Sequence, residues 1–354
     1  MIVINARFLT QQITGVQRFA IEISLKLKET LGSGVVFVSP HNILQKEYAE
    51  RLEAKVIGKH TGHVWEQIDL PQYLSSKEKP LLLNLANTAP LFYKNKAVTV
   101  HDLAFEAYPQ TFSKKFLYVY KFMIPRIIKS SKHVFTVSEF SKREICEYYH
   151  SESDKISVIY NAVGDKFQHK EVMGLRMKNY FLAVSSLNYR KNFIAVLKAF
   201  ELYAQKNPEG NLYVIGEIKN ANFKGIDITP FLHNSRIKFL GRVPDEELVK
   251  YYSNATGFIY PSIYEGFGIP PLEAQACGCP VLLSDIPPLK EVFQDSALYC
   301  NPHDIKDMAL QIDQLSHNKE KYVDKGFQNI KRFSWETSAL HIQEILISIQ
   351  KNHE

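Results

Sequence analysis

The sequence predicts an α/β protein made of two doubly wound domains, each a parallel sheet between layers of helices. Three observations predict it. The chain has 354 residues, more than one hydrophobic core ordinarily serves, so two domains of about 150–200 residues are expected. Short runs rich in Val, Ile and Leu recur along its length, most of them too continuously apolar for strands with one polar face, as strands buried on both faces are. Amphipathic segments with apolar residues three and four apart separate the runs, and such alternation produces parallel sheets.

In the first half the strand-like runs are IVIN (2–5), GVVFVSP (34–40), KVIG (55–58), LLLNL (81–85), AVTVHD (97–102), VFTVS (134–138) and ISVIYN (156–161). The first helical pattern, VQRFAIEISLKLKETL, follows Thr14-Gly15 directly. The second half repeats the plan with YFLAVSS (180–186), LYVIGE (212–217), IKFLGRV (237–243), GFIYPSI (257–263), PVLLSD (280–285) and ALYCNP (297–302). We therefore place one domain at 1–165 and the other at 176–335, with the junction near 164–178 in the polar GDKFQHKEVMGLRMK. The tail FSWETSALHIQEILISIQ is amphipathic and reads as a terminal helix, 336–354, packing back on the first domain.

Composition narrows the class. Hydrophobic residues make up 45% and charged residues 23%, the balance of a globular protein. No apolar run approaches the roughly 20 residues of a membrane span, and MIVINARFLT reads as a first strand rather than a signal peptide. Four scattered cysteines do not form a disulfide framework. Cys277-Gly-Cys279 lacks a second Cys/His pair at ligand spacing, so small core thiols, no metal site and a reducing cytoplasm are expected. Neither half carries G-x-G-x-x-G after its first strand, and there is no G-x-x-x-x-G-K-[ST], which argues against dinucleotide and P-loop chemistry. The net charge of +6 lies wholly in the first half: residues 1–175 hold 23 Lys/Arg against 17 Asp/Glu, and 176–354 hold 20 of each. No acid occurs between Glu106 and Glu139, where Lys114, Lys115, Lys121, Arg126, Lys129 and Lys132 fall. A negatively charged partner at that face is expected.

The stretch EGFGIPPLE (265–273) carries the chemistry. It lies between a buried strand and the helix-forming LEAQACG. Two prolines inside a helix would each remove a donor and clash with the preceding turn, but within the first turn they cost little. The helix is therefore expected to start near Ile269 or Pro270, with Gly266 to Gly268 wrapping its amino end. Free amides and the helix dipole favour a phosphate or oxyanion there. Glu265 and Glu273 would flank the ligand and accept hydrogen bonds from hydroxyls. A phosphate beside hydroxylated groups means a nucleotide sugar. With no Asp-x-Asp in the chain, cations of the protein are expected to neutralise the diphosphate. Arg190 and Lys191, in SSLNYRKNF (185–193), stand at the carboxyl end of the second half's first strand, where doubly wound sheets bind ligands; the plainer reading is a solvated basic turn.

At these residues the chain resembles glycosyltransferase family 4, the retaining group with the GT-B fold of two Rossmann-like domains facing each other across a cleft. The family's Glu, seven residues, Glu motif is matched by Glu265 and Glu273. ITGVQRFA (13–20), WEQIDLP (65–71), NLANTAPL (84–91), TVHDLAF (99–105), TVSEFSKREI (136–145), SLNYRKN (186–192), LGRVPDEEL (240–248), YEGFGIPPLEAQACGCPVLLSD (264–285) and FSW (333–335) fall in the expected order. The pattern is similar to bacterial enzymes of O-antigen or capsule assembly, often mannosyl-, rhamnosyl- or fucosyltransferases.

The resemblance implies an acceptor-side first domain and a donor-binding second one. It implies that Glu265 and the amides of Gly266, Phe267 and Gly268 hold the transferred sugar, and that Glu273 holds the ribose. Lys191 and Arg190 would grip the diphosphate, and Arg242 and Val243 would line the base. Gly15 would let the diphosphate approach the first domain. His101 would face the anomeric carbon, or else be a structural imidazole bonded to backbone. Many members carry an Arg where Ser186 stands here, so Arg190 or Lys191 must carry that charge. The implied reaction moves a hexose or deoxyhexose from a GDP-, UDP- or dTDP-sugar to a glycan or an undecaprenyl-diphosphate-linked acceptor, with catalysis by His101, Glu265 and Lys191 and without metal or other cofactor. The basic stretch 113–132 reads either as an ordinary helix kinked at Pro125 or as a surface that docks peripherally on anionic lipid at the inner face of the cell membrane. The rivals are a 2-epimerase-like enzyme of the same fold and a non-catalytic protein that binds anions. Nucleic acid is not expected, because no aromatic-basic recognition motif accompanies the charge.

Overall fold

The computed structural model describes residues 1–170, 179–184, 189–216 and 228–351. Part of the expected junction (171–178), the ends of two expected strands (185–186 and 217), Ser186 itself and the last three tail residues lie outside them. The chain divides into two compact units, Met1–Asn161 with Ser334–Glu354, and Ala162–Phe333.

The first unit holds strands β1 (Ile2–Asn5), β2 (Val35–Ser39), β3 (Lys55–Val56), β4 (Leu81–Asn84), β5 (Lys96–Thr99), β6 (His133–Thr136) and β7 (Ile156–Val158). They form one parallel sheet in the order β3-β2-β1-β4-β5-β6-β7. The central strands β1, β4 and β5 are buried at every residue, whereas the edge strand β3 is exposed at both of its residues. That contrast is why the apolar runs marked the centre of the sheet better than its edge. The helix Gly15–Leu31 buries Phe19, Ala20, Ile23 and Leu27. The helix Trp335–Lys351 lies against it, with the Phe19 and Trp335 rings 5.9 Å apart, a Lys26–Glu336 ion pair of 2.7 Å, and Ser338 Oγ donating to the Tyr160 carbonyl at 2.7 Å. The basic helix Lys114–Ser130 is capped by Ser113 and buries Met123, Ile124, Ile127 and Ile128. It runs on through Pro125, at the cost of one backbone hydrogen bond.

The second unit repeats the plan with β8 (Tyr180–Val184), β9 (Asn211–Ile215), β10 (Ile237–Gly241), β11 (Gly257–Tyr260), β12 (Val281–Ser284) and β13 (Leu298–Cys300). Their order is β10-β9-β8-β11-β12-β13, again parallel. Several strands stop earlier than the apolar runs suggested, β10 and β11 among them. β11 ends at Tyr260 because Pro261 has no N–H to give the ladder, and β10 ends at Gly241, whose φ of 72° leaves the strand region. The helices Phe193–Lys206 and Ile305–His317 meet over the sheet through Val196, Phe200, Met308, Ile312 and Leu315. All four cysteines are free thiols, and burial pushes those of Cys277 and Cys300 up to about 12. Among the described residues no helix is long and apolar enough to cross a membrane.

The Trp65-Glu66-Gln67 segment ties the first unit together. The Trp65 indole donates to the Ile57 carbonyl at 2.8 Å, and Gln67 bonds Ala89 and Leu91 at 3.0 and 2.9 Å. Asp69 accepts from the Lys59 and His60 amides at 2.9 and 2.8 Å. That approach requires glycine at position 58, where φ is 70° and a Cβ would sit 2.4 Å from Asp69. Glu66 is buried and accepts from Asn5 (2.9 Å) and Arg7 (3.2 Å), with His63 Nδ1 at 3.3 Å. Burial alone would push its carboxyl up; the Arg7 guanidinium and His63 outweigh it and hold the group down, from 4.5 to about 2.

This depressed carboxyl stabilises the fold by on the order of 3 kcal/mol at neutral pH. The contribution is fully present above about pH 4.5 and is lost as the pH falls towards about 2. In acid titrations followed by circular dichroism, Glu66→Gln should start with a lower melting temperature and lose less of it over that window than the wild type.

Candidate active site

Strand β11 leads through Pro261 into a buried loop that carries Glu265 and the Gly266-Phe267-Gly268 turn. The helix Ile269–Ala276 begins where the prolines require, with Pro270 and Pro271 in its first turn. Its cap, Gly268, has φ of 103°, and a Cβ there would lie 2.8 Å from Leu289 Cδ2. Only glycine takes that conformation without strain. The far side of the helix is fixed by Gln275, which donates to Ser296 (3.0 Å to its carbonyl, 2.9 Å to its hydroxyl) and accepts from Asn329 at 2.9 Å. The Phe267 ring packs edge-on to Phe333. The amino end is thus wrapped by glycines, and its first turn keeps the Ile269 amide while Pro270 and Pro271 have no N–H.

Opposite it stands the turn after β8. The Ile263 amide donates to the Arg190 carbonyl at 2.8 Å, and Asn192 donates to the Pro302 carbonyl at 2.6 Å, so the turn is tied to the loops after β11 and β13. Lys191 Nζ then donates to Glu265 Oε1 and to the Tyr260 hydroxyl, both at 2.6 Å, and Tyr260 donates to the same Oε1 at 2.8 Å. Burial disfavours both charges, yet their mutual attraction outweighs it: Lys191 is raised and Glu265 lowered from their ordinary values. Both stay ionised at neutral pH. Burial, then the Glu265 charge, pushes the Tyr260 phenol up, so it remains a neutral donor. β8 and β11 are the adjacent central strands at which the strand order reverses, the place where doubly wound sheets take ligands.

The structure gathers Arg190, Lys191, Glu265, Gly266, Phe267, Gly268 and Glu273 around these two loops. Glu273 is buried in the second turn of the helix, 5% exposed. Its charge, after burial itself, is what holds the fully buried Tyr252 phenol above its ordinary range. Arg242 and Val243 follow β10, two strands away from β8, with Arg242 exposed and Val243 half-buried. Gly15 and His101 belong to the first unit. Gly15 is the exposed first residue of its helix. His101 is buried edge-on against Phe19, and its Nε2 lies 2.9 Å from the Leu85 carbonyl. A carbonyl only accepts, so Nε2 carries the proton. Burial, against the Leu85 bond and Asp102, lowers its pKa, leaving a neutral ring with an acceptor at Nδ1. Asp102 Oδ1 accepts from the Ala104 amide at 3.0 Å and so caps the short helix Ala104–Ala107. Sequence reasoning missed Tyr260 and the direct Lys191–Glu265 pairing; the only signal was a tyrosine closing the strand before the loop.

The two parallel-sheet units of Rossmann type, with a lysine–carboxylate pair beside a glycine-wrapped helix end, define a glycosyltransferase of GT-B fold. Residues 13–166 match the family model described as Glycosyltransferase Family 4, and residues 165–332 the one described as Glycosyl transferases group 1. The O-antigen chain mannosyltransferase RfbU of Salmonella typhimurium is 36% identical over 264 residues, 72% of each chain. O-antigen chain mannosyltransferase B of Escherichia coli is 27% identical over 70% of each. Among solved structures, Anabaena HepE in complex with UDP and glucose has a TM-score of 0.74 at 17% identity, covering 98% of this chain and 99% of its own. WaaG, a glycosyltransferase involved in lipopolysaccharide biosynthesis, has 0.72 at 14%, with the same coverage. The chain belongs to glycosyltransferase family 4.

Gly268→Ala should cost about 1–3 kcal/mol, because the residue must leave its backbone conformation or displace Leu289. Thermal unfolding should show a lowered midpoint; an unchanged midpoint would mean that the loop tolerates a side chain there.

Proposed function

We propose that the chain transfers mannose from GDP-mannose, with retention of configuration, to a glycan on an undecaprenyl-diphosphate carrier during O-antigen synthesis. The observation that carries this reading is the Lys191–Tyr260–Glu265 triangle, with a half-buried lysine on two buried partners, at the amino end of the Ile269–Ala276 helix. The mannosyltransferase names of two relatives that each align with 70% or more of this chain support the choice of sugar.

In the reaction the bond between the anomeric carbon and the diphosphate oxygen breaks, and a bond to the acceptor hydroxyl oxygen forms. The acceptor proton passes to a diphosphate oxygen on the same face, and GDP leaves. Negative charge grows on the leaving oxygen, and Lys191, Arg190 and the helix amides gain interaction energy as it does. Losing one such group typically costs about 2.7–4 kcal/mol in the transition state. Glu265, held ionised, orients the mannose hydroxyls, and Glu273 takes the ribose hydroxyls. Arg242 and Val243 flank the base, Gly15 admits the diphosphate on the first unit's side, and His101 offers Nδ1 to a sugar hydroxyl. These protein cations take the role that a metal ion has in other transferases.

The acceptor's lipid places the reaction at the inner face of the cell membrane. The helix Lys114–Ser130 presents Lys115, Tyr118, Phe122, Arg126 and Lys129 on one exposed stripe, with Tyr118 79% exposed and the Arg126 guanidinium 3.8 Å over the Phe122 ring. Cations interleaved with aromatics suit an anionic lipid surface.

GDP at 100 times its dissociation constant should stabilise the protein by about 2.7 kcal/mol, and Lys191→Ala or Glu273→Ala should abolish the shift. Stabilisation by UDP instead would overturn the donor assignment, and a product of inverted configuration the retention. Activity should survive EDTA. Reversal of Lys114, Lys115 and Lys129 to Glu should reduce sedimentation with phosphatidylglycerol vesicles; undiminished sedimentation would refute the lipid contact.

A further inference from the structure

No step of the sugar transfer needs an atom of Tyr260, yet its hydroxyl touches both central groups of the donor site. Lys191 Nζ, the Tyr260 hydroxyl and Glu265 Oε1 close a triangle with sides of 2.6, 2.6 and 2.8 Å. All three residues belong to the second unit. They differ in freedom. Tyr260 is 4% exposed and is the last residue of β11, where it pairs with Leu283 of β12. Glu265 is 9% exposed. The Lys191 side chain, 21% exposed, is the open corner, and its ammonium sits on a flexible four-carbon stem. We propose that Tyr260 is a positioning residue for donor binding: its hydroxyl holds Glu265 while Lys191 turns from that carboxylate to the donor's diphosphate. This deepens the transferase reading above and rests on it.

The geometry favours such a hand-over. The triangle is nearly equilateral, so its corner at Nζ is far narrower than the tetrahedral spread of ammonium N–H bonds. The two hydrogen bonds that Lys191 donates therefore cannot both be straight, and bent bonds are weak. A diphosphate oxygen offers the ammonium a straight, charge-assisted bond instead. What opposes the move is Glu265, because a buried carboxylate stripped of its cation is costly unless another donor satisfies it. Among the described residues, Lys191 and Tyr260 are the charged or titratable groups that face this carboxylate, and the buried Ser262 hydroxyl lies beside it without a hydrogen-bond partner. Tyr260 is thus the partner that remains when the lysine leaves. Burial and the Glu265 charge keep its phenol neutral, so it has a proton to donate throughout. The ligand-free pair has less need of the hydroxyl, since Lys191 already neutralises the carboxylate.

The test is a double-mutant cycle on the full chain, with GDP as the probe and calorimetric affinity as the readout. GDP carries the diphosphate that draws Lys191 but no mannose hydroxyls to reach Glu265. Tyr260→Phe should weaken GDP binding about tenfold, the worth of one hydrogen bond to a charged group. Glu265→Gln keeps the shape and removes the charge that the hydroxyl must satisfy. In that background Tyr260→Phe should leave the affinity for GDP unchanged. A hydroxyl that only shapes the site would weaken GDP equally in both backgrounds, and that result overturns the inference. Unweakened binding by Tyr260→Phe alone overturns it as well, as does a Tyr260→Phe protein that fails to fold. Those outcomes leave the donor reading standing. If GDP does not bind the wild type, the donor reading itself fails and this inference falls with it.

Discussion

The pair between Lys191 and Glu265 is the constraint on which the donor half depends. Each group alone would be driven towards neutrality by burial. Together they stay charged, with a tyrosine hydroxyl completing the triangle, in the loop that leads into the Ile269–Ala276 helix. The loops are arranged to keep that pair in place. A backbone hydrogen bond from Ile263 to Arg190 ties the two turns together, and Gln275, Asn329 and Ser296 hold the helix from behind. Removing one partner would leave the other buried and uncompensated, which is costlier than never having had the pair.

The same economy governs the first unit, where Glu66 collects Asn5, Arg7 and His63. Here the packing of Trp65 and the bonds of Gln67 hold the carboxylate against the ends of two strands. Conformational freedom is scarce in both places. Gly58 and Gly268 each take a backbone conformation and a closeness of approach that no side chain permits.

Much of the fold was legible because its signals are local. Parallel strands buried on both faces are apolar over most of their length, so β1, β4, β8, β11 and β12 announce themselves, and two prolines in succession fix the start of the Ile269–Ala276 helix. The acids of the glycine loop were legible for the same reason: spacing, prolines and glycines lie within nine residues. What was not legible is pairing over distance. Lys191 and Glu265 are 74 residues apart, and Glu66 is 61 from Asn5 and 59 from Arg7; no periodicity links such positions. Tyr260 was hidden because a tyrosine at the end of an apolar strand looks like core. For His101 the sequence left two roles open, and the structure supplies the bond to Leu85 that fixes its tautomer.

The chain enters the second unit near residue 162 and returns to the first near 334, so the second unit is inserted within the first. During synthesis on the ribosome the first sheet emerges complete, yet the helix that covers Phe19 and pairs with Lys26 arrives only after the whole inserted unit has followed. Domains form as units during translation, the earlier ones first. Here the earlier one must wait with an uncovered apolar face until the helix Trp335–Lys351 is made, which places the closing step of its folding after synthesis of the whole inserted unit.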